Sequence, residues 1–197
     1  STDGSLTIYG AGTTASDAYL YLIGDAGADT SDSWRLFNDS SAAGLLFQSD
    51  PSVAGTYATA MSLTSAGALT TISSIKSSSA SAGIGYATGA GCAVTQITNR
   101  STGVTCTGVS GAITTDTTSL AAEATAKFTV TDTSVAVGDT VVVSQRSGSN
   151  SGGTIVHVTT VAAGSFEIAV HNGNIAAGTA ETGAIIINFA VIKAVSS

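Results

Sequence analysis

Residues 154–170, TIVHVTTVAAGSFEIAV, decide the fold class because β-branched and aromatic residues dominate them. In an extended chain, Ile155 and His157 fall on one face and Val156 and Val158 on the other. Val, Ile, Thr and Phe fit a pleated, half-buried surface better than a helix. The stretch therefore predicts two β-strands, at 154–161 and 166–170.

The same pattern extends in both directions from this stretch. Six further strands are predicted at 94–97, 103–106, 112–115, 127–131, 140–144 and 184–192. Phe128 and Val130 share one face of their strand. In the last strand, one face carries Ile185, Ile187, Phe189 and Val191, and the other carries Ile186, Asn188, Ala190 and Ile192. We expect these faces to form core and subunit contacts. Eight strands within 84–197 predict a β-sandwich of jelly-roll-like type.

Shorter apolar runs precede this region, separated by turn-forming residues. They lie at 6–9, 19–23, 34–37 and 45–48. The last two runs, with the turn-forming residues 38–44 between them, predict one hairpin with a long tip, and a second hairpin is predicted at 60–71. We interpret residues 1–75 as a β-hairpin or meander region resembling a fibre shaft. Ser and Ala dominate residues 76–83, which predicts a linker before the domain at 84–197. The only helix-like window, SLAAEATAK at 119–127, predicts either a short helical turn or the start of a strand.

Composition favours an all-β chain that assembles with other chains. Hydrophobic residues make up 43% of the 197 residues, but aromatics only 6%, and charged residues 10%. Small apolar side chains each remove little area from water, so the core of one chain is thin. We therefore expect further burial between subunits.

Charge is unevenly distributed along the chain. Residues 1–75 hold seven aspartates against Arg35 alone, a net charge of −6, while residues 76–197 carry −1. No basic stripe is available to neutralise phosphates, and no basic amphipathic segment is present, so we expect neither nucleic-acid nor membrane-surface binding. The longest apolar run, 184–195, is interrupted by Asn188 and Lys193, so we predict no membrane insertion. The chain opens at Ser1 without Met, which indicates a processed, trimmed or fragmentary start.

Two groups of residues are weighed as metal ligands. Asp25, Asp29 and Asp32 have the oxygen chemistry that Ca²⁺ prefers, but their spacing matches no known calcium loop, and we favour a solvated acidic turn. His157 and His171 are the only histidines, they occupy separate strands, and we favour ordinary polar positions for them. We predict no metal and no cofactor.

Catalytic patterns are equally weak. Serine is abundant, but no Gly-x-Ser-x-Gly elbow lies between a strand and a helix. The carboxylates after residue 75 fall mostly in turns, which does not favour a glycan hydrolase. We predict that the chain is not an enzyme. Cys92 and Cys106 could close a disulfide between neighbouring strands or remain two free buried thiols, and we favour the free thiols.

Several motifs together resemble phage fibre proteins. Residues 84–91 (IGYATGAG), 94–96 (VTQ), 101–105 (STGVT) and 185–195 (IIINFAVIKAV) look like a module found at the ends of phage fibre and virion surface proteins. WRLFND at 34–39 and MSLTSAGAL at 61–69 resemble the hairpin units of tail-fibre shafts. The resemblance as a whole extends over roughly two thirds of the chain. Cys92 and Cys106 depart from the pattern, where small or aliphatic residues are expected.

The resemblance implies a homotrimeric, catalytically inert component exposed on a virion and assembled in the cytoplasm of a bacterial host. We expect a tail-fibre or surface protein that acts in host attachment, in contact with other virion proteins and a host-surface glycan. The polar loops at 145–153 and 171–177 are the expected exposed tips. The alternatives are a capsid decoration or head fibre protein that stabilises the capsid, and a bacterial adhesin or strand-exchange pilin.

Overall fold

The computed structural model describes residues 7–8, 10, 16–24, 33–41, 44–52, 56–78, 83–87, 89–175 and 178–194. Within them the chain is all-β, with thirteen strands and no helix. It divides into two compact units, Ser1–Gly83 and Ile84–Ser197. The division falls where the sequence places the start of the C-terminal domain. Across the described ranges, no helix has the length and apolar character needed to cross a membrane.

The first unit is a five-stranded antiparallel meander in the order β1-β2-β3-β4-β5. Its strands are β1 (Ala18–Ile23), β2 (Ser33–Asp39), β3 (Gly44–Ser49), β4 (Ala58–Thr64) and β5 (Leu69–Thr71). Both predicted hairpins are present, since β2 pairs with β3 and β4 pairs with β5. The run predicted at 6–9 is only partly described: Leu6 and Tyr9 lie outside the described residues, and Thr7 and Ile8 are not in a strand.

One irregularity interrupts the meander. The pairing of β3 with β4 shifts register between Phe47 and Gln48, where Phe47 faces Met61 and Gln48 faces Thr59. Ala60 is therefore an extra residue on β4, which is a β-bulge. Because side chains alternate along a strand, the extra residue reverses which face the preceding part of β4 presents.

The second unit is a sandwich of two four-stranded sheets, ordered β10-β13-β8-β6 and β11-β12-β9-β7. The strands are β6 (Gly91–Thr95), β7 (Val104–Thr105), β8 (Ser110–Thr114), β9 (Thr125–Thr131), β10 (Thr140–Ser147), β11 (Thr154–Ala162), β12 (Ser165–Asn172) and β13 (Ile186–Ile192). All eight strands predicted for this region are present. The window at 119–127 is a turn followed by the start of β9, so the helical alternative is not formed.

The core lies between these two sheets and is built by the predicted alternation. Phe128 and Val130 are buried on β9, and Ile187, Phe189 and Val191 are buried on β13. The rings of Phe166 and Phe189, from opposite sheets, lie 5.1 Å apart between centroids. Two pairings, β6 with β8 and β7 with β9, are parallel. The connectivity therefore differs from that of a jelly roll, whose strands are all antiparallel.

A disulfide joins the edges of the two sheets. Cys92 on β6 and Cys106, directly after β7, are bonded, with their Cα atoms 5.5 Å apart. The free thiols favoured from the sequence are therefore wrong. The reason is that β6 and β7 lie on the same edge of facing sheets, which brings the Cα atoms within bridging distance. Gly111 leaves the space for this arrangement, because a Cβ there would overlap Phe189 and the sulfur of Cys92.

Candidate functional site

Three surfaces of the described chain have a distinctive chemistry. Two are the opposite faces of the meander, and the third is a set of loops at one end of the sandwich. Directly opposed residues in antiparallel strands share a face, so the strand register assigns every side chain of the meander.

One face of the meander is apolar. Its members are linked by the pairs Leu20–Leu36, Leu22–Trp34, Leu36–Phe47, Phe47–Met61, Leu45–Leu63 and Leu63–Leu69. We call these nine residues the apolar face. None of the strand residues on this side is charged.

Most of the apolar face is exposed among the residues that the structure describes. Six of its nine side chains expose between 37% and 55% of their surface: Leu20, Leu22, Trp34, Leu45, Leu63 and Leu69. The buried apolar residues of the described chain all lie between Val104 and Val191, in the other unit. In the described part of the first unit, the apolar side of the meander therefore contributes no fully buried apolar residue. Exposed apolar patches of this kind mark interaction surfaces.

The opposite face carries a cluster of aromatic residues around Arg35. Tyr19 and Tyr21 on β1 pair with Phe37 and Arg35 on β2. The Cζ atom of Arg35 lies 4.2 Å from the ring centroid of Tyr57, 4.9 Å from that of Tyr19 and 5.3 Å from that of Phe37. We call Arg35 and these four aromatic residues the Arg35 patch. Tyr57 is on this face because the bulge at Ala60 reverses the alternation of β4.

The loop end of the sandwich is organised around a buried carboxylate. Glu181 is fully buried. It accepts hydrogen bonds from the hydroxyls of Ser149 (2.6 Å) and Thr154 (2.7 Å) and from the main-chain N–H groups of Ser151 (3.1 Å) and Gly183 (2.7 Å). Burial raises the pKa of Glu181, but these hydrogen bonds outweigh it and hold the pKa well below its ordinary range. The carboxylate therefore stays charged and fastens the 148–153 loop to the 181–183 segment.

Arg100 is also buried and joins the 115–118 segment to the 181–183 segment. Its guanidinium donates to the carbonyls of Thr118 (2.6 Å) and Gly183 (2.8 Å) and to the hydroxyl of Thr115 (3.1 Å). Burial lowers the pKa of Arg100, and Glu181 opposes that shift. All of these partners are internal, so Arg100 acts as a structural tie.

Two asparagines complete the network. Asn172, also buried, donates to the carbonyls of Leu120 (3.1 Å) and Thr179 (3.0 Å). Asn150 accepts from the N–H of Thr182 (2.9 Å). The loop end is therefore rigid and polar, and a groove of about 330 Å³ lies beside it, lined by residues that include Asn99, Ser101, Thr118, Ser119 and Thr125.

The sequence-predicted positions are distributed as follows. Of the two expected tips, Asn150 and Gly152 are exposed, but Ser151 and Asn172 are buried, and residues 176–177 are not described. His157 is exposed and His171 is half-buried on the outer face of the same sheet, where Nδ1 of His171 lies 3.0 Å from the hydroxyl of Thr125. Asp25, Asp29 and Asp32 lie outside the described residues. In the part of the chain that the structure describes, no group of three or more His, Cys, Asp or Glu side chains could hold a metal ion.

Sequence reasoning missed the Glu181 network, the apolar face and the Arg35 patch. The apolar face had a detectable signal, because Leu20, Leu22, Trp34 and Leu36 repeat with a period of two. Glu181 had none, since an acid between Ala180 and Thr182 is typical of a solvated loop. No family model, no curated protein and no solved structure matches the chain, so its own residues and their contacts are the basis for assigning a function.

Proposed function

We propose that the chain is a structural subunit of a homo-oligomer, specifically a trimeric fibre or surface protein of a phage virion that acts in host attachment and has no catalytic role. The observation that carries the oligomer is the apolar face of the meander. The resemblance of the 34–39 and 61–69 motifs to fibre shafts supports the phage virion and the trimer.

The size of the apolar face suits association between copies. Five strands about 4.8 Å apart and about six residues long, at about 3.3 Å per residue, cover about 480 Å². Three such faces together would bury about 1,400 Å², which lies within the usual range of about 1,200–2,000 Å² for a stable interface. A charge-free face offers no complement to a charged partner, whereas another copy of the same face matches it in chemistry. Three identical faces around a common axis also close the assembly, which limits growth into filaments.

The test is the oligomeric state of the intact chain, measured by sedimentation equilibrium at micromolar concentration. We expect a trimer. Leu63→Asp places a charge on the apolar face between Leu45 and Leu69, and we expect it to shift the population to monomer because the carboxylate would be desolvated in the interface. Leu63 is exposed in the single chain, so the substitution does not disturb a packed core.

Thr70→Asp is the matched control, because Thr70 is paired with Ser62 on the opposite face and is also exposed. It should leave the trimer intact. A monomeric unaltered chain would overturn the proposal, as would equal dissociation by both substitutions.

Attachment is tested separately, with labelled protein mixed with host cells and with expanded capsids. Saturable binding to cells supports the attachment role. Binding to capsids alone would replace it with capsid decoration, and open polymers in place of closed trimers would indicate a strand-exchange adhesin. Release of reducing sugar from host polysaccharide would contradict the non-catalytic role.

A further inference from the structure

We infer that the Arg35 patch is a binding site for an anionic saccharide, that is, a sugar ring carrying a carboxylate or a phosphate. The inference rests on the proposed attachment function for its biological role, although the site itself is defined by the geometry of one chain. The patch lies on the side of the meander opposite the apolar face, so assembly through the apolar face leaves it accessible.

The guanidinium of Arg35 is held in a fixed position. Its Nε–H donates to Oε1 of Gln48 at 2.6 Å, and the amide of Gln48 is in turn fixed by donating to the hydroxyl of Thr59 at 2.9 Å. Gln48 is buried, so this orienting contact is shielded from water. Tyr57 and Tyr19 lie against the guanidinium within cation–π distance. Little side-chain freedom remains to be lost on binding.

The terminal amino groups of Arg35 remain available. Among the described residues, the hydrogen bond to Gln48 is the only one that the Arg35 side chain makes, and no ion pair joins it to Asp17, Asp39 or Asp50. This is notable because residues 1–75 hold seven aspartates and no other basic residue. A guanidinium fork that is oriented but unpaired matches the two oxygens of a carboxylate or phosphate.

The aromatic rings around Arg35 indicate which other chemical groups the ligand contains. Tyr21 is 46% exposed, and its ring lies 5.9 Å from that of Tyr57 between centroids. Tyrosines offer an apolar ring and a hydroxyl together, which suits a sugar that has both C–H faces and hydroxyl groups. A nucleic acid is disfavoured, because the net charge of −6 in residues 1–75 repels a polyanion while one arginine can neutralise only one charge.

The experiment exploits the small number of arginines. The chain has three, Arg35, Arg100 and Arg146, so a ¹⁵N-correlated spectrum of the intact oligomer contains three side-chain Nε–H signals. Glucuronic acid provides a single carboxylate, glucose 1-phosphate provides the phosphate, and glucose is the neutral control. We expect the Arg35 signal to move and saturate at millimolar ligand with one or both anionic sugars. Arg100, which is buried, and Arg146, which is exposed in the other unit, should not move.

Variants separate recognition from simple charge attraction. Arg35→Lys keeps the charge but removes the planar fork, and we expect binding at least tenfold weaker, measured by saturation transfer to the sugar protons. Arg146→Lys should bind like the unaltered chain. Equal shifts of Arg35 and Arg146, an equal response to glucose, or an equal response to acetate would each overturn the inference.

The failure of this inference can be told apart from failure of the proposed function. A trimer whose Arg35 signal does not respond retains the structural role and loses the saccharide site. A monomer whose Arg35 signal saturates retains the site and loses the trimer. Sedimentation of Arg35→Lys should match that of the unaltered chain, because the substitution lies on the face opposite the proposed contact.

Discussion

Replacement of the buried carboxylate by an amide, Glu181→Gln, tests the structural account of the loop end most directly. Glutamine retains the shape of glutamate but replaces one oxygen with an NH₂ group. In its best orientation the amide oxygen still faces Ser149 and Thr154, while the NH₂ faces the N–H of Gly183. That arrangement places a donor against a buried donor.

The magnitude follows from the contacts. An unsatisfied buried N–H costs about 1–3 kcal/mol, and each hydrogen bond that changes from a charged to a neutral acceptor loses about 0.5–1 kcal/mol. With several donors converging on the carboxylate, we expect a loss of about 3 kcal/mol in the free energy of unfolding at pH 7. The loss should shrink in acid. Because the folded pKa of Glu181 lies below its unfolded value of about 4.3, the contribution is present above that pH and disappears as pH falls through the folded value.

Urea unfolding followed by far-UV circular dichroism measures the effect on the sandwich. Trp34 is the only tryptophan and lies in the meander, so its fluorescence reports the other unit and should be unchanged. Glu167→Gln is the control, since that carboxylate pairs with Lys127 on the exposed sheet face and should matter much less. A loss below about 1 kcal/mol for Glu181→Gln, or an equal loss for both variants, would refute the reasoning.

Three further predictions concern the same unit. Opening the Cys92–Cys106 disulfide, with its 14-residue separation, should lower the free energy of unfolding by about 3 kcal/mol, measured by urea titration with and without reductant. Gly148→Ala should lower the melting temperature far more than Gly152→Ala; both glycines have positive φ, but only at the first would a Cβ overlap a carbonyl oxygen. A hydrogen bond from Lys193 lowers the pKa of Asp139 to about 2. The stabilisation of the fold by the Asp139 carboxylate is therefore present above about pH 4 and is lost as the pH falls through about 2. Asp139→Asn should therefore flatten the fall in melting temperature between pH 4 and pH 2.

The strands of this chain could be read from its sequence because alternation is a local property. Phe128 and Val130 share a face whatever pairs with β9, and the same holds for the inner residues of β13. The pairing of the strands was harder to predict than the strands themselves, because no local pattern specifies that β6 lies parallel to β8. The disulfide could not be predicted without the strand pairing, because only the order of strands in the two sheets brings Cys92 to the same edge as Cys106.

The functional surfaces were harder to predict for a different reason. The apolar face requires both the alternation within each strand and the register between five strands. Arg35 is an ordinary surface cation in the sequence, and its aromatic surroundings come from residues as far apart as Tyr19 and Tyr57. Glu181 is buried only because loops from distant parts of the chain deliver N–H and O–H donors to it.

The bulge at Ala60 has a consequence for how this chain can change in length. Ahead of it, Tyr57 and Thr59 lie on the side of Arg35, while Met61 and Leu63 after it lie on the apolar side. Deleting Ala60 would leave Tyr57 and Met61 three positions apart, so simple alternation without a bulge would keep them on opposite sides of the sheet. The extra residue therefore makes β4 tolerant of a one-residue deletion at this point. A one-residue deletion inside β2 or β3, which pair with each other without a register shift, has no extra residue to absorb it and would exchange inside for outside.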